Sequence, residues 1–123
     1  MNIEKVFKNV LDCSFQVHSA LGPGLLESAY SECLYYELEK LGIKVEKQKP
    51  LPLIYKEIRL EAGYRIDLLV ESSIIIEIKS IEALANIHLA QILTYLKLSG
   101  CKLGLLVNFN VEHLKDGIRR VIL

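Results

Sequence analysis

The sequence predicts an α/β (α+β) domain in which helices pack against a block of strands. Three observations carry that expectation. Apolar residues recur at helical spacing through residues 3–41. They then alternate with period two through much of 43–79, as strands do. A third helical stretch at 87–99 precedes a continuously apolar run at 103–109. The length of 123 residues suits a single domain spanning 1–123.

In the first helix, Ile3, Val6, Phe7, Val10, Val17 and Leu21 recur at helical spacing, and Cys13 and Ser14 fill the gap. The Gly and Pro of LGPG at 21–24 stop it. A second helix at 25–41 shows the stripe Leu26, Ala29, Tyr30, Cys33, Leu34, Leu38 and Leu41, with Gly42 placed as its C-cap. Residues 43–49 alternate as a half-buried strand, and 51–55 and 58–61 flank Lys56-Glu57 as a hairpin. Ala62-Gly63 is a turn or bulge before the strand 64–70. There Tyr64, Ile66, Leu68 and Val70 should share one face, and Arg65, Asp67 and Leu69 the other. A turn at Glu71-Ser72-Ser73 leads into 74–79, where Ile74, Ile76 and Ile78 lie opposite Ile75, Glu77 and Lys79. Asn86 should cap the third helix and Gly100 end it. The run 103–109 reads as a central strand, 110–116 as a loop or short helix, and 118–123 as the last strand.

Composition excludes several classes. With 51% hydrophobic residues the chain can build a core, so disorder is not expected. No apolar run reaches the roughly 18–20 residues of a membrane span. The first residues alternate charge with apolar side chains and do not resemble a signal peptide. Fifteen Lys+Arg balance fifteen Asp+Glu, so no global charge seeks a polyanion. Cys13, Cys33 and Cys101 have no zinc-ligand spacing. Cys13 and Cys33 fall in helical stretches, where a free Cys behaves as a small buried hydrophobe. Reduced thiols and no export signal point to the cytoplasm.

The chemistry lies in the middle of the chain. Asp67, Glu77 and Lys79 are charges embedded in apolar strands joined by a tight turn. A buried charge without a partner loses several kcal/mol of solvation. Two adjacent carboxylates would repel each other, and a divalent cation that prefers hard oxygen ligands, Mg²⁺ or Mn²⁺, would resolve that repulsion. Lys79, on the same face as Glu77, would then reach a phosphate or a metal-bound water. The alternative is a plain ion-pair network in which Lys79 neutralises Glu77 or Asp67. Gln91 and Tyr95, four residues apart, share a face of the third helix. A solvated Gln91 and a core Tyr95 are the alternatives there. Glu27 lies early in the second helix on the Leu26/Tyr30 side, either turned toward a site or interacting with the helix N-terminus. His18, on the stripe of the first helix, is either a site residue near Glu27 or a hydrogen-bonded core histidine. His88 and His113 read as surface residues. Arg119-Arg120 with Lys115, and the group Lys44, Lys47, Lys49 and Lys56, are loose basic clusters rather than a nucleic-acid footprint.

GLLESAY at 24–30 carries a GxxExxY signature in Gly24, Glu27 and Tyr30, and YRIDLLVE, IIIEIKS, AQILTYLKLSG and LGLLVNFNVEHLKDGIRR follow in order. With these motifs the chain resembles the GxxExxY proteins, a branch of the PD-(D/E)XK nuclease superfamily. The resemblance implies a restriction-endonuclease-like αβββαβ core, with a central mixed sheet flanked by helices. It also implies that Asp67 and Glu77 ligate metal, that Glu27 assists them, and that Lys79 steadies the nucleophile or the developing charge. Gln91 and Tyr95 match a QxxxY motif that lines such sites, and Tyr30 and His18 would stand beside it.

The reading that follows is a Mg²⁺- or Mn²⁺-dependent nuclease acting on nucleic acid, DNA before RNA, with no membrane role. Two alternatives stand beside it. One is a silent module with the nuclease fold that binds or assembles, and the other is a metal-dependent hydrolase of a small phosphoester. Apolar edges near 103–109 and 118–123 suggest a homodimer or a protein partner.

Overall fold

The computed structural model describes residues 1–123. Helix α1 spans Ile3–Leu21 and α2 spans Glu27–Lys40. The strands are β1 (Val45–Pro50), β2 (Leu53–Tyr55), β3 (Ile58–Leu60), β4 (Arg65–Val70) and β5 (Ile74–Lys79). Helix α3 (Asn86–Ser99), β6 (Leu103–Asn108), a 3₁₀ turn (Leu114–Gly117) and β7 (Ile118–Ile122) complete the chain. The main sheet has the order β1-β4-β5-β6-β7, while β2 and β3 form a separate hairpin. Only β5 and β6 run parallel. A parallel pair needs a crossover, and α3 supplies it. This is the mixed sheet flanked by helices that a restriction-endonuclease-like fold requires.

The sheet separates two cores. Phe7, Val10 and Val17 of α1 and Tyr30, Leu34 and Leu38 of α2 cover one face, where they meet Leu68, Ile76 and Leu105. On the other face α3 brings Ile92, Tyr95 and Leu96 against Leu69, Ile75 and Leu106. Gly104 makes that second contact possible, since a Cβ there would meet Ile92 Cδ1 at 2.9 Å. Local signals fix the helix ends. Asn2 Oδ1 accepts from the Lys5 amide at 3.2 Å at the start of α1, and Gly100, at φ 78°, closes α3 in the left-handed region. No helix is long and apolar enough to cross a membrane.

Four expectations need correction. Asn86 does not cap α3 but opens it: the helix starts after Ala85, whose amide donates to His88 Nδ1 at 2.9 Å. The run 103–109 is not a free edge, because β6 lies between β5 and β7; β7 is the edge strand, and the centre of the sheet is β5. Cys33 is only half-buried, since α2 turns it toward the groove beside α1. The fourth concerns β4. Ile66 does not share a face with Leu68 and Val70 but joins Leu51 and Leu69 in the α3-side core. Alternation breaks between Ile66 and Leu68, at the level where the β4–β5 ladder stops and where Gln48 of β1, left-handed at φ 51°, lies between the pairs Lys47–Leu68 and Lys49–Ile66.

Candidate active site

β4 and β5 pair only beside their connecting turn, where Leu68, Leu69 and Val70 oppose Ile76, Ile75 and Ile74. Past Leu68 the ladder stops, and Asp67 and Glu77 face each other across the opening. Their carboxylates take over the hydrogen bonds that the ladder gives up. The Asp67 amide donates to Glu77 Oε2 at 3.0 Å, and the Ile78 amide donates to Asp67 Oδ2 at 2.8 Å. Glu77 is only 3% exposed and Asp67 is half-buried. Two acidic groups are thus drawn together inside an aliphatic strand pair.

Electrostatics follow from that placement. Burial pushes the Glu77 carboxyl up to about 8, and the Asp67 charge adds to the push. Burial also raises Asp67, against the pull of the Ile78 amide and the Lys79 cation. Glu27 adds negative charge felt by both groups. At neutral pH the pair therefore holds a proton that two isolated carboxyls would release.

Lys79 lowers both carboxyls through space but forms no direct ion pair with either. No salt bridge joins it to Asp67 or Glu77, although seven other Lys and Arg side chains are ion-paired. Instead Lys79 Nζ donates to Gln91 Oε1 at 3.3 Å, and Gln91 Nε2 donates to the Tyr95 hydroxyl at 3.5 Å. Burial, and then the Glu77 and Asp67 charges, push the Tyr95 hydroxyl up. Gln91 is therefore a holder of Lys79 rather than a solvated helix residue.

Glu27 is exposed at the first turn of α2 and shares a cleft of about 280 Å³ with Ser28, Ser31, Gln48 and Asp67. Tyr30, one turn on, is buried in the core, while the Glu27 carboxylate turns to this cleft. Glu27 Oε2 accepts from the Ser80 amide at 3.3 Å, and Ser80 Oγ donates to the Leu25 carbonyl at 2.5 Å. These bonds tie the start of α2 to the end of β5.

Tyr30 and His18 lie away from the carboxylates. Tyr30 is fully buried and stacks on Phe109 at 4.6 Å. Its hydroxyl donates to the Gly22 carbonyl at 2.6 Å and accepts from the Leu25 amide at 3.1 Å. Tyr30 thus clamps the 22–25 turn from below. His18 Nε2 lies 2.7 Å from the Val111 carbonyl, and the ring lines a separate hollow with Glu112 and His113. The core-histidine alternative describes it.

Sequence reasoning missed Asn108, the polar end of an apolar strand. It is 1% exposed; its Nδ2 donates to the Ile81 carbonyl at 3.0 Å, and its Oδ1 accepts from the Ile81 and Asn110 amides. Asn110 Oδ1 in turn accepts from the Gly24 amide at 3.1 Å. The signal was present in NFN at 108–110, two amides closing a run of aliphatics. We expect Asn108→Ala to destabilise the protein by roughly 1–3 kcal/mol in denaturant unfolding, because the Ile81 amide loses its acceptor and the Ile81 carbonyl keeps only Asn110 Nδ2.

The donor set fits a divalent cation. No group of three or more His, Cys, Asp or Glu side chains is gathered for a metal. Mg²⁺ asks for less, since it keeps several waters and is commonly held by one or two carboxylates plus substrate phosphate. Asp67 and Glu77 supply two hard-oxygen groups, both raised in pKa first by burial, so a cation bound between them would take the place of the proton they retain.

A mixed sheet that opens to present Asp and Glu-x-Lys on adjacent strands defines a nuclease-like fold of the restriction-endonuclease type. The chain belongs to the PD-(D/E)XK nuclease superfamily, whose family model matches residues 4–121. Members of this superfamily generally use divalent metals and act on nucleic acid. Comparisons with curated proteins and with solved structures return no significant match.

Proposed function

We propose that this protein is a Mg²⁺-dependent nuclease, with Mn²⁺ able to substitute, that hydrolyses phosphodiester bonds in nucleic acid. The observation that carries the reading is the pair of opposed, proton-retaining carboxylates at the opening of β4 and β5, beside a lysine in no direct ion pair. Asp67 and Glu77 would hold the cation, with Glu27 turned toward the same cleft. The bound cation supplies Lewis acidity toward the phosphate and an acidified water. Lys79 places positive charge where the phosphate oxygens gain negative charge, and Gln91 fixes its ammonium by accepting a hydrogen bond from it. Tyr95 holds Gln91 in turn.

Within the superfamily we assign the chain to the GxxExxY branch. In support, the three signature residues act on one junction: Gly24 through Asn110, Glu27 through Ser80, and Tyr30 through Gly22 and Leu25.

The test incubates purified protein with single- and double-stranded DNA and RNA in Mg²⁺, Mn²⁺ or EDTA. Lys79→Ala should lower the cleavage rate by about 100-fold or more while leaving Mg²⁺ binding by calorimetry intact. Glu77→Ala should remove both. Cleavage that survives both substitutions, or that persists in EDTA, overturns the reading, as does the absence of cleavage on every substrate.

A further inference from the structure

Beside Lys79 lies a cavity of about 570 Å³, framed by α3, β2 and the segment entering β4. Such a volume suits a small ligand. Its walls are mainly apolar, with Leu53 and Leu98 among them and two aromatic rings, Tyr64 and Tyr95, set edge to face at 6.3 Å. Tyr95 is 6% exposed and fixed, whereas Tyr64 is 45% exposed and presents its ring to an incoming group. Lys79 and Gln91 line the same cavity, so the lysine that would meet a phosphate also borders an aromatic recess.

We propose that this cavity is a nucleobase subsite and that the protein acts on an unpaired nucleotide, its base seated against Tyr64 and its phosphate at Lys79. The inference rests on the nuclease reading above and names its substrate class. A cation at one end, an aromatic and apolar recess in the middle and an amide at the rim are together the chemistry of a single nucleotide. A base inside a duplex cannot offer its ring face to Tyr64, because its neighbours already cover it. Charge points the same way. Seven of the fifteen Lys and Arg residues are engaged in ion pairs and the net charge is zero, so the chain carries no excess of positive charge to grip the two backbones of a duplex. Stacking on an aromatic ring needs no such surface and tolerates any base.

The test is binding, read separately from cleavage. Labelled single-stranded DNA, single-stranded RNA and duplex DNA are titrated in Ca²⁺ and followed by anisotropy, and the melting temperature of each variant is recorded. The single strands should bind more tightly than the duplex. Tyr64→Ala should weaken single-strand binding about 10-fold, leave duplex binding unchanged and keep the melting temperature near that of the parent protein. The chain contains no tryptophan. Tyr64→Trp therefore keeps an aromatic face and also installs a unique fluorophore, whose emission should be quenched by single strands and not by duplex. The DNA and RNA arms show which sugar is accepted. Equal effects of Tyr64→Ala on single strand and duplex overturn the subsite, as does no effect on either or an unquenched Tyr64→Trp variant. Mg²⁺-dependent cleavage that is indifferent to Tyr64 would sink the subsite and leave the nuclease standing. Tyr64-dependent single-strand binding with no cleavage would do the reverse.

Discussion

Replacing Glu77 by Gln is expected to stabilise the metal-free protein at pH 8 and to abolish its response to Mg²⁺. In the folded protein the Glu77 carboxyl titrates near 8, against an ordinary value of 4.5. Between those values the folded state holds a proton that the unfolded chain has released. Stability is therefore full below about 4.5 and declines as pH rises through about 8, by up to about 1.4 kcal/mol per pH unit for one proton. The amide that replaces the carboxyl carries no charge at any pH; its oxygen only has to accept the Asp67 amide hydrogen bond that Glu77 Oε2 now accepts. Glu77→Gln should thus melt at a nearly constant temperature from pH 5 to 8, where the parent protein loses stability. Added Mg²⁺ should rescue the parent at pH 8, because a bound cation replaces the proton, and should do nothing for the variant. Melting curves at several pH values, with and without Mg²⁺, decide this. A flat profile for the parent protein would show that folding does not make Glu77 retain its proton.

The second large effect is on Tyr30. Tyr30→Ala should cost about 3–5 kcal/mol in denaturant unfolding, since it empties a fully buried site and removes the ring stacked on Phe109. Tyr30→Phe is the more informative change. It keeps the ring and removes the hydroxyl that bridges Gly22 and Leu25, at a cost of about 1–3 kcal/mol. The Leu25 carbonyl also receives Ser80 Oγ, so loosening this turn loosens the end of β5 that carries Lys79. Tyr30→Phe should therefore lower cleavage at temperatures where the protein is still fully folded. Unchanged cleavage there, measured beside circular dichroism, would confine Tyr30 to packing.

Much of the fold was legible because its signals are local. The helical stripes of α1 and α2, the tight turn between β4 and β5, and Gly100 at the end of α3 each follow from a few adjacent residues. The acidic pair was legible for the opposite reason: Asp67 and Glu77 violate the pattern around them, and a charge in an aliphatic strand demands an explanation. What could not be read depends on distant partners. The shift of Ile66 to the α3 side goes with a left-handed Gln48 on a neighbouring strand and the end of the β4–β5 ladder, which no local pattern announces. Tyr30 looked like a site residue because the motif contains it, yet its hydroxyl is turned to the 22–25 turn. Asn108 sits at the end of a run whose other members are apolar, and its partner Ile81 lies in a loop with no sequence signature. Lys79 could have been an ion-pair partner by spacing alone. Only the position of Gln91 on α3 gave it a different neighbour.

The short pairing of β4 with β5 also has a mechanical meaning. Past Leu68 the two strands are held not by a backbone ladder but by two side chains, through the Asp67 amide to Glu77 Oε2 and the Ile78 amide to Asp67 Oδ2. On either side the sheet is laddered along these strands, β1 to β4 and β5 to β6. The two carboxylates therefore stitch the sheet where it opens. A change at Asp67 or Glu77 removes a strand-to-strand fastening as well as a charge, so the acidic pair belongs to the architecture of the sheet as much as to its chemistry.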